Sequence, residues 1–302
     1  MEVRFFDPPT DLAPCFGLVY RMDVNVPAGQ VLEDYLQPEW CNLRFFAHGS
    51  ARAFAANGQM VDAPFGVTGP SMRPTHFEIG RSRVWGIAFT PLGWARFIDA
   101  PAKNFTDSVF DGAGQECFRR LGKIGRIVRA TDASDEAIVE RIMAFFRELA
   151  PPPRGADRIL AVYRAILDPY LVDVPEFADR VGVTIRTLER HCGQYFGFPP
   201  RLLLRRHRMM RTIAAFMLSG GANWTEVIDR HYHDQAHFVH EFQTFMGMSP
   251  TQYARMGHPI LQAFMAERQR IWGSPALSEK QQPNNVLDTF ARVPRDGDPG
   301  FS

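Results

Sequence analysis

Two groups of side chains in this sequence could carry chemistry. The first is histidine with carboxylate: His48, then His76 with Glu78 two residues on, and later His231, His233, His237 and His240. On a strand, His76 and Glu78 share a face. On a helix, His233 and His237 sit one turn apart, the spacing of a metal-ligand pair. A zinc or iron centre needs three or four converging ligands; His76 and Glu78 are too few, and among the later histidines only His233 and His237 have ligand spacing, with His231 and His240 nearby. His76 and Glu78 read instead as a solvated pair or as the polar corner of a ligand cavity. The second group is arginine. Arg186 and Arg190 fall in one segment, and Arg201, Arg205, Arg206, Arg208 and Arg211 in the next. An arginine fork can grip guanine or phosphate through two parallel hydrogen bonds. Cys15, Cys41, Cys117 and Cys192 are scattered without paired spacing, as reduced buried thiols are, rather than disulfide or zinc frameworks.

The arginines must be positioned by the stretch FGFPPRLLLRRHRMMRTIAAFML, residues 196–218. Leu202, Leu203, Met209, Met210, Ile213, Ala214, Met217 and Leu218 recur at spacings of three, four and seven. That predicts an amphipathic helix starting at Pro200 or Arg201 and stopped by Gly220-Gly221, with arginines over the rest of its surface. A similar unit lies on each side, PEFADRVGVTIRTLERHCGQYFGFPP before and WTEVIDRHYHDQAHFVHEFQTFMGMSP after. Each reads as a short helix, a turn and a longer helix ending in Phe, a Gly-containing turn and Pro. The tails YFGFPP and FMGMSP match, which makes an internal repeat. A helix over residues 201–219 would be about 28 Å long. Successive major grooves on one DNA face lie about 34 Å apart. With the width of the units added, such a rod sets two reading heads in register without dimerisation.

On these residues the chain resembles the DNA-binding domain of the AraC/XylS family of transcription regulators. The resemblance spans residues 157–255. It rests on Thr184, Arg186, Leu188 and Arg190 with Phe196-Gly197 and Pro200, then on Asp234-Gln235-Ala236-His237-Phe238, Phe242, Phe245, Gly247, Pro250 and Tyr253. It implies seven helices forming two helix-turn-helix units on a central helix. Its partners would be double-stranded promoter DNA and, for an activator, RNA polymerase. In the first unit Thr184 is expected to cap the recognition helix, with Ile185, Arg186, Glu189 and Arg190 facing bases. Arg190 could equally clamp phosphate or form an internal salt bridge. In the second unit Asp234 is the cap, and Gln235, Ala236, His240 and Gln243 face outward, with His237 packing locally. Arg201 and Arg205 complete the expected DNA surface. One departure stands out: the family's usual Gly before the aromatic of the second turn is His231, before Tyr232. A non-Gly residue is costly in a left-handed turn, so a re-angled second unit is expected.

Residues 12–91 are short β-rich runs cut by Gly, Pro and Asn, with Asn57-Gly58 as a two-residue hairpin turn. Phe77 and Ile79, then Val84, Gly86 and Ala88, alternate with period two. They predict a small barrel or sandwich, and the family resemblance implies a cupin-like domain holding a small-molecule effector. His76, Glu78, Trp85, Phe89 and Trp94 are the candidate ligand residues; the aromatics, with Phe97, either line the barrel mouth or simply pack the core. Residues 134–149 predict a helix capped by Ser134 and stopped by Pro151-Pro152-Pro153. Its stripe (Ile138, Ile142, Phe145, Leu149, widened by Val139, Met143 and Phe146) is either domain core or the seam of a homodimer.

The fold class expected is α+β: an N-terminal cupin-like β-barrel or sandwich sensor before an all-α domain with two helix-turn-helix units. The expected division is 1–125 for the β-rich domain, 126–154 for connecting helix and linker, 155–258 for the DNA-binding domain, and 259–302 for a short helix and flexible tail. With 302 residues and a net charge of +1, the chain can bury a full core, and any nucleic-acid surface must be a local patch. Within residues 155–258 there is no Lys, and Asp157, Asp168, Asp173, Glu176 and Asp179 dilute the arginines. No signal pattern opens the sequence and no run of about 18 apolar residues occurs, so a cytoplasmic protein without a membrane span is expected. The reading is a transcription regulator, not an enzyme, without cofactor or metal. Its rivals are a small-molecule enzyme built on the barrel and a binding module that no longer reads DNA.

Overall fold

The computed structural model describes residues 1–272 apart from 56, 131–132 and 220–222. The expected helix stop at Gly220-Gly221 and the polar tail after Trp272 lie outside the described residues.

In chain order the strands are β1 (Glu2–Phe6), β2 (Phe16–Val24), β3 (Leu32–Leu36), β4 (Cys41–His48) and β5 (Ala51–Phe54). There follow β6 (Met60–Asp62), β7 (Phe65–Thr68), β8 (Thr75–Ile79), β9 (Ser82–Phe89) and β10 (Val109–Asp111). They form two antiparallel sheets, ordered β1-β2-β9-β4-β7-β10 and β3-β8-β5-β6. Central β9 is buried on both faces, because one faces the opposing sheet and the other faces helices. β8 is covered on one face only: Phe77 and Ile79 are buried, and His76 and Glu78 point outward. At one side of the sandwich β6 and β10 approach each other. At the other side the edge strands β1 and β3 do not pair.

β1 and β10 fall outside residues 12–91, where the strands are expected, and both are short edge strands. The expected two-residue turn at Asn57-Gly58 is instead part of a wider one. Ala55 N donates to Gln59 O, Gly58 N donates to Ala55 O, and Gly58 is left-handed.

The sheet's outer face carries α1 (Pro91–Phe97), α2 (Glu116–Arg119), α3 (Ile124–Ile127) and α4 (Asp135–Leu149). Thr90 caps α1 through Gly93 N at 3.2 Å, and Ser134 caps α4 through Ala137 N at 3.2 Å. Phe146 of α4 packs against Phe97 at 4.8 Å, Phe16 at 5.0 Å and Phe89 at 5.7 Å between ring centroids. Ile138, Val139, Ile142 and Met143 are buried with it, so this stripe is core of the chain and not an open seam. The last carbonyls of α4 are satisfied by arginine: Arg120 donates to Leu149 O and Arg96 to Ala150 O.

The remaining helices are α5 (Ala156–Leu167), α6 (Val174–Arg180), α7 (Ile185–His191), α8 (Pro200–Leu218), α9 (Gln235–Met246), α10 (Pro250–Arg255) and α11 (Pro259–Trp272). The repeat is visible in the backbone. Gly197 after α7 and Gly247 after α9 both take the left-handed conformation, with φ +87 and +70. Pro200 and Pro250 then open α8 and α10 as first-turn residues.

The second unit departs from the expected seven helices: between α8 and α9 the described residues hold only the 3₁₀ turn Trp224–Glu226. At His231, where a glycine is usual in the family that the sequence resembles, the backbone is not left-handed. Asp107 is the sole non-Gly residue with positive φ among the described residues. Asp229 builds the turn instead, accepting from His231 N at 3.0 Å, with Arg211 held at 2.8 Å.

Phe146 sits at the centre of the aromatic cluster joining α4 to the sheet. Phe146→Ala should cost about 3–5 kcal/mol in urea unfolding followed by circular dichroism, the range for truncating a buried Phe.

Candidate functional site

The position of α7 is set by the caps around it. Asp173 opens α6 by accepting from Glu176 N, Gly182 turns the chain at φ +65, and Thr184 accepts from Thr187 N at 3.2 Å. Leu188, Cys192 and Phe196 pin the inner face and are wholly buried. Ile185, Arg186, Glu189 and Arg190 are all exposed on the outer face, with Ile185 at 43%. An exposed β-branched residue beside two arginines is an unusual surface and a serviceable one for a groove. Neither Arg186 nor Arg190 has an ion pair among the described residues, so the internal salt bridge considered for Arg190 is not formed.

On α9, Asp234 caps by accepting from His237 N at 2.7 Å. Gln235, Ala236, His240 and Gln243 are exposed, and Phe238, Phe242 and Phe245 are buried beneath them. His237 packs locally, with its ring 5.3 Å from Tyr232 and 5.4 Å from His233.

The arginines of α8 do not coat its surface as expected. Arg206 and Arg211 are buried. Arg205 and Arg208 converge on the buried carboxylate of Glu241 at 2.6 and 2.8 Å, and Arg211 pairs with Asp229 at 2.8 Å. Arg205, expected at the DNA surface, is therefore engaged inward and also lies 5.4 Å over the Phe245 ring. Arg201 remains exposed. Burial by itself would raise the Glu241 pKa, but hydrogen bonds from Arg205 and Arg208 outweigh it and hold the carboxyl below its ordinary value.

A cavity of about 190 Å³ lies between the two sheets and is walled on its other sides by α5, α8 and α11. Its walls are mainly apolar, with Met22, Phe46, Phe77, Ile79, Val84 and Phe89 from the strands. Of the sequence candidates only Phe89 lines it. His76 and Glu78 fall on the outer face of β8, because residues alternate and Phe77 and Ile79 take the inside. There His76 stacks on Phe54 at 5.0 Å and Glu78 pairs with Arg52. Trp85 is buried on the other side of β9 against Phe6, at 5.4 Å, and Trp94 is core, donating to Ala100 O at 2.8 Å.

The polar end of the cavity was missed. Arg206 reaches across from α8 and lies 4.0 Å over the Trp40 ring, donating to Ser71 O at 3.2 Å and Glu39 O at 3.4 Å. It has no carboxylate partner among the described residues, and burial pushes its pKa down to about 10. Nearby Arg44 differs, being paired with Glu39 at 2.8 Å. His207 is buried and uncharged, held well below its ordinary pKa by burial, with Arg206 and Arg211 adding to the effect. The Nε of Arg206, both ring nitrogens of His207, Oδ1 of Asn42 and Oε1 of Gln37 have no hydrogen-bond partner among the described residues. Such orphaned buried groups mark a place for a polar guest. The signal was in the sequence: Leu203, Arg206, His207, Met210 and Ile213 share one stripe, so two titratable side chains sit on the apolar face of α8.

Because the Glu241 carboxyl is depressed, its contribution is full above the ordinary carboxylate pKa and is lost as pH falls through the folded value. Glu241→Gln should cost about 3–5 kcal/mol at pH 7, since it strands two arginines. In urea titrations below about pH 5, the variant should lose stability less steeply than the parent chain.

Residues 177–256 match a family model described as a helix-turn-helix domain. No curated protein matches the sequence. Among solved structures, ToxT from Vibrio cholerae is similar at 11% identity and TM-score 0.45, covering 84% of this chain and 98% of that one. Unsaturated fatty acid bound ToxT from Vibrio cholerae strain SCE256 is similar at 13% identity and TM-score 0.39, covering 79% and 94%. The AraC-like transcriptional activator CuxR is similar at 12% identity and TM-score 0.28, covering 68% and 84%. No helix among the described residues is long and apolar enough to cross a membrane. The family match begins within α6 and closes just after α10, so residues 177–256 of this chain are a helix-turn-helix domain.

Proposed function

We propose that this protein is a sequence-specific DNA-binding transcription regulator whose state is set by a small apolar molecule bearing an acidic group. The observation that carries the DNA reading is the outer face of α7. Ile185, Arg186, Glu189 and Arg190 are exposed behind a capped turn, with no internal partner for either arginine among the described residues. Arg186 is assigned to base reading and Arg201 to phosphate. Gln235, Ala236, His240 and Gln243 form the second reading face. The reduction of its scaffold to the turn Trp224–Glu226 favours a second reading, in which α9 contributes phosphate contacts and α7 reads the bases.

The effector class follows from the cavity. Apolar walls favour a hydrocarbon or aromatic body, and the buried, carboxylate-free Arg206 favours an anionic head. The unsaturated fatty acid named for the ToxT structure is of the same chemical class.

Two experiments test this. In binding to the chain's own upstream DNA against scrambled DNA, Arg186→Ala should lose about 1–3 kcal/mol of discrimination. Arg201→Ala should weaken all sequences alike and lower the salt slope by about one. Equal affinity for both DNAs at every salt concentration would sink the proposal. A footprint over two adjacent grooves supports base reading by both units, and protection of one groove supports α7 alone. In calorimetry, decanoate should bind about tenfold more tightly than decanol, the value of one charge-assisted hydrogen bond, and Arg206→Met should erase that difference.

A further inference from the structure

The seam between β1 and β3 is closed by neither strand but by α11, the helix that follows the reading domain. α11 lies against both edge strands. Ile260, Leu261, Phe264, Met265 and Arg268 form its inner face, and all five line the cavity. Phe264 sits 4.8 Å from Tyr20 and 5.7 Å from Phe5, and Ile260 joins the buried cluster of Met22, Phe77 and Ile79. The helix shares no sheet hydrogen bonds. Its start is held by one carboxylate, buried Asp34 of β3, which accepts from Ile260 N at 2.9 Å and Leu261 N at 3.1 Å. The same carboxylate lies 3.2 Å from Nδ1 of His258, whose Nε2 is 3.3 Å from the carbonyl of Tyr253 in α10.

We propose that α11 is a removable wall of the effector cavity: the effector's apolar body competes with Ile260 and Phe264 for the seam, and binding releases the helix. This rests on the cavity being the effector site. Three features point the same way. The inner face of α11 borders empty space rather than being packed throughout. The helix follows the last helix of the reading domain, and among the described residues no element comes after it. Its anchor, Asp34–His258–Tyr253, joins β3 directly to α10, so release unties the second reading unit from the β-domain. The effector thereby changes the freedom of that unit without touching it. Apparent affinity is then reduced by the small fraction of molecules in which the helix is open.

The test uses the full chain with decanoate as probe. Gln262 and Ala266 are exposed on the outer face of α11, touching neither cavity nor core. Ala266→Gly weakens the helix alone and should tighten decanoate binding about fivefold, from the usual cost of an internal Gly. Asp34→Ala, which removes the cap, should act in the same direction. In the unmutated chain, decanoate should accelerate amide hydrogen exchange over residues 259–268 at least about tenfold, scaled to a released helix cap and turn. Decanoate bound with α11 amides equally protected, or bound no more tightly by Ala266→Gly, overturns the removable wall and leaves the cavity reading standing. Decanoate bound by none of the three chains overturns the cavity reading and the wall with it.

Discussion

The arrangement of this chain depends on one charge buried in the wrong-looking place. Arg206 lies within α8, its guanidinium 4.0 Å over Trp40 and hydrogen-bonded to the carbonyls of Glu39 and Ser71. Trp40 is also ringed by Tyr163 at 5.8 Å and Phe196 at 5.6 Å. One side chain thus fastens the central helix of the reading domain to the loops of the β-domain, through carbonyl dipoles and a ring face rather than an opposing charge. Burying a cation this way is costly unless its donors are met. The Nε of Arg206 is left without a hydrogen-bond partner among the described residues.

The other arginines of α8 show a different use of charge. Arg205 and Arg208 converge on Glu241, and Arg211 on Asp229, each carboxylate coming from the second unit. These pairs hold α9 in position where its own scaffold helix is reduced to a 3₁₀ turn. An arginine-rich helix in a DNA-binding domain invites the inference of a phosphate-binding surface. Here most of that charge is spent inside the domain, and of the arginines on α7 and α8 the exposed ones are Arg186, Arg190 and Arg201.

The C-terminal architecture was legible because its signals are local. Thr184, Asp234, Gly197, Gly247, Pro200 and Pro250 each act on the backbone within a few residues, and each does in the structure what its type dictates. The strand parity was equally legible. The alternation of Phe77 and Ile79 that predicts β8 also forces His76 and Glu78 to the opposite face, so the cavity candidates there conflicted with their own strand. What local pattern could not carry was the meeting of distant segments. β1 and β10 are short edge strands fixed by their partners, and the cavity's polar end joins residues near 40, 71 and 206. Nor did the turn around His231 announce that Asp229 would take over from the missing glycine.

The glycine that ends the first reading helix has a consequence beyond backbone freedom. A Cβ at Gly197 would stand 2.9 Å from Thr106 Cγ2 and 3.0 Å from Pro70 Cβ, so the turn rests directly on the β-domain. From that rest the reading helix and its π-turn extend over residues 185–196, a lever about 18 Å long at helical rise. The aim of α7 is therefore referenced to a loop of the β-domain, as a sight is to its mount. A displacement of that loop by a fraction of an ångström becomes a change of angle along the whole length of that lever.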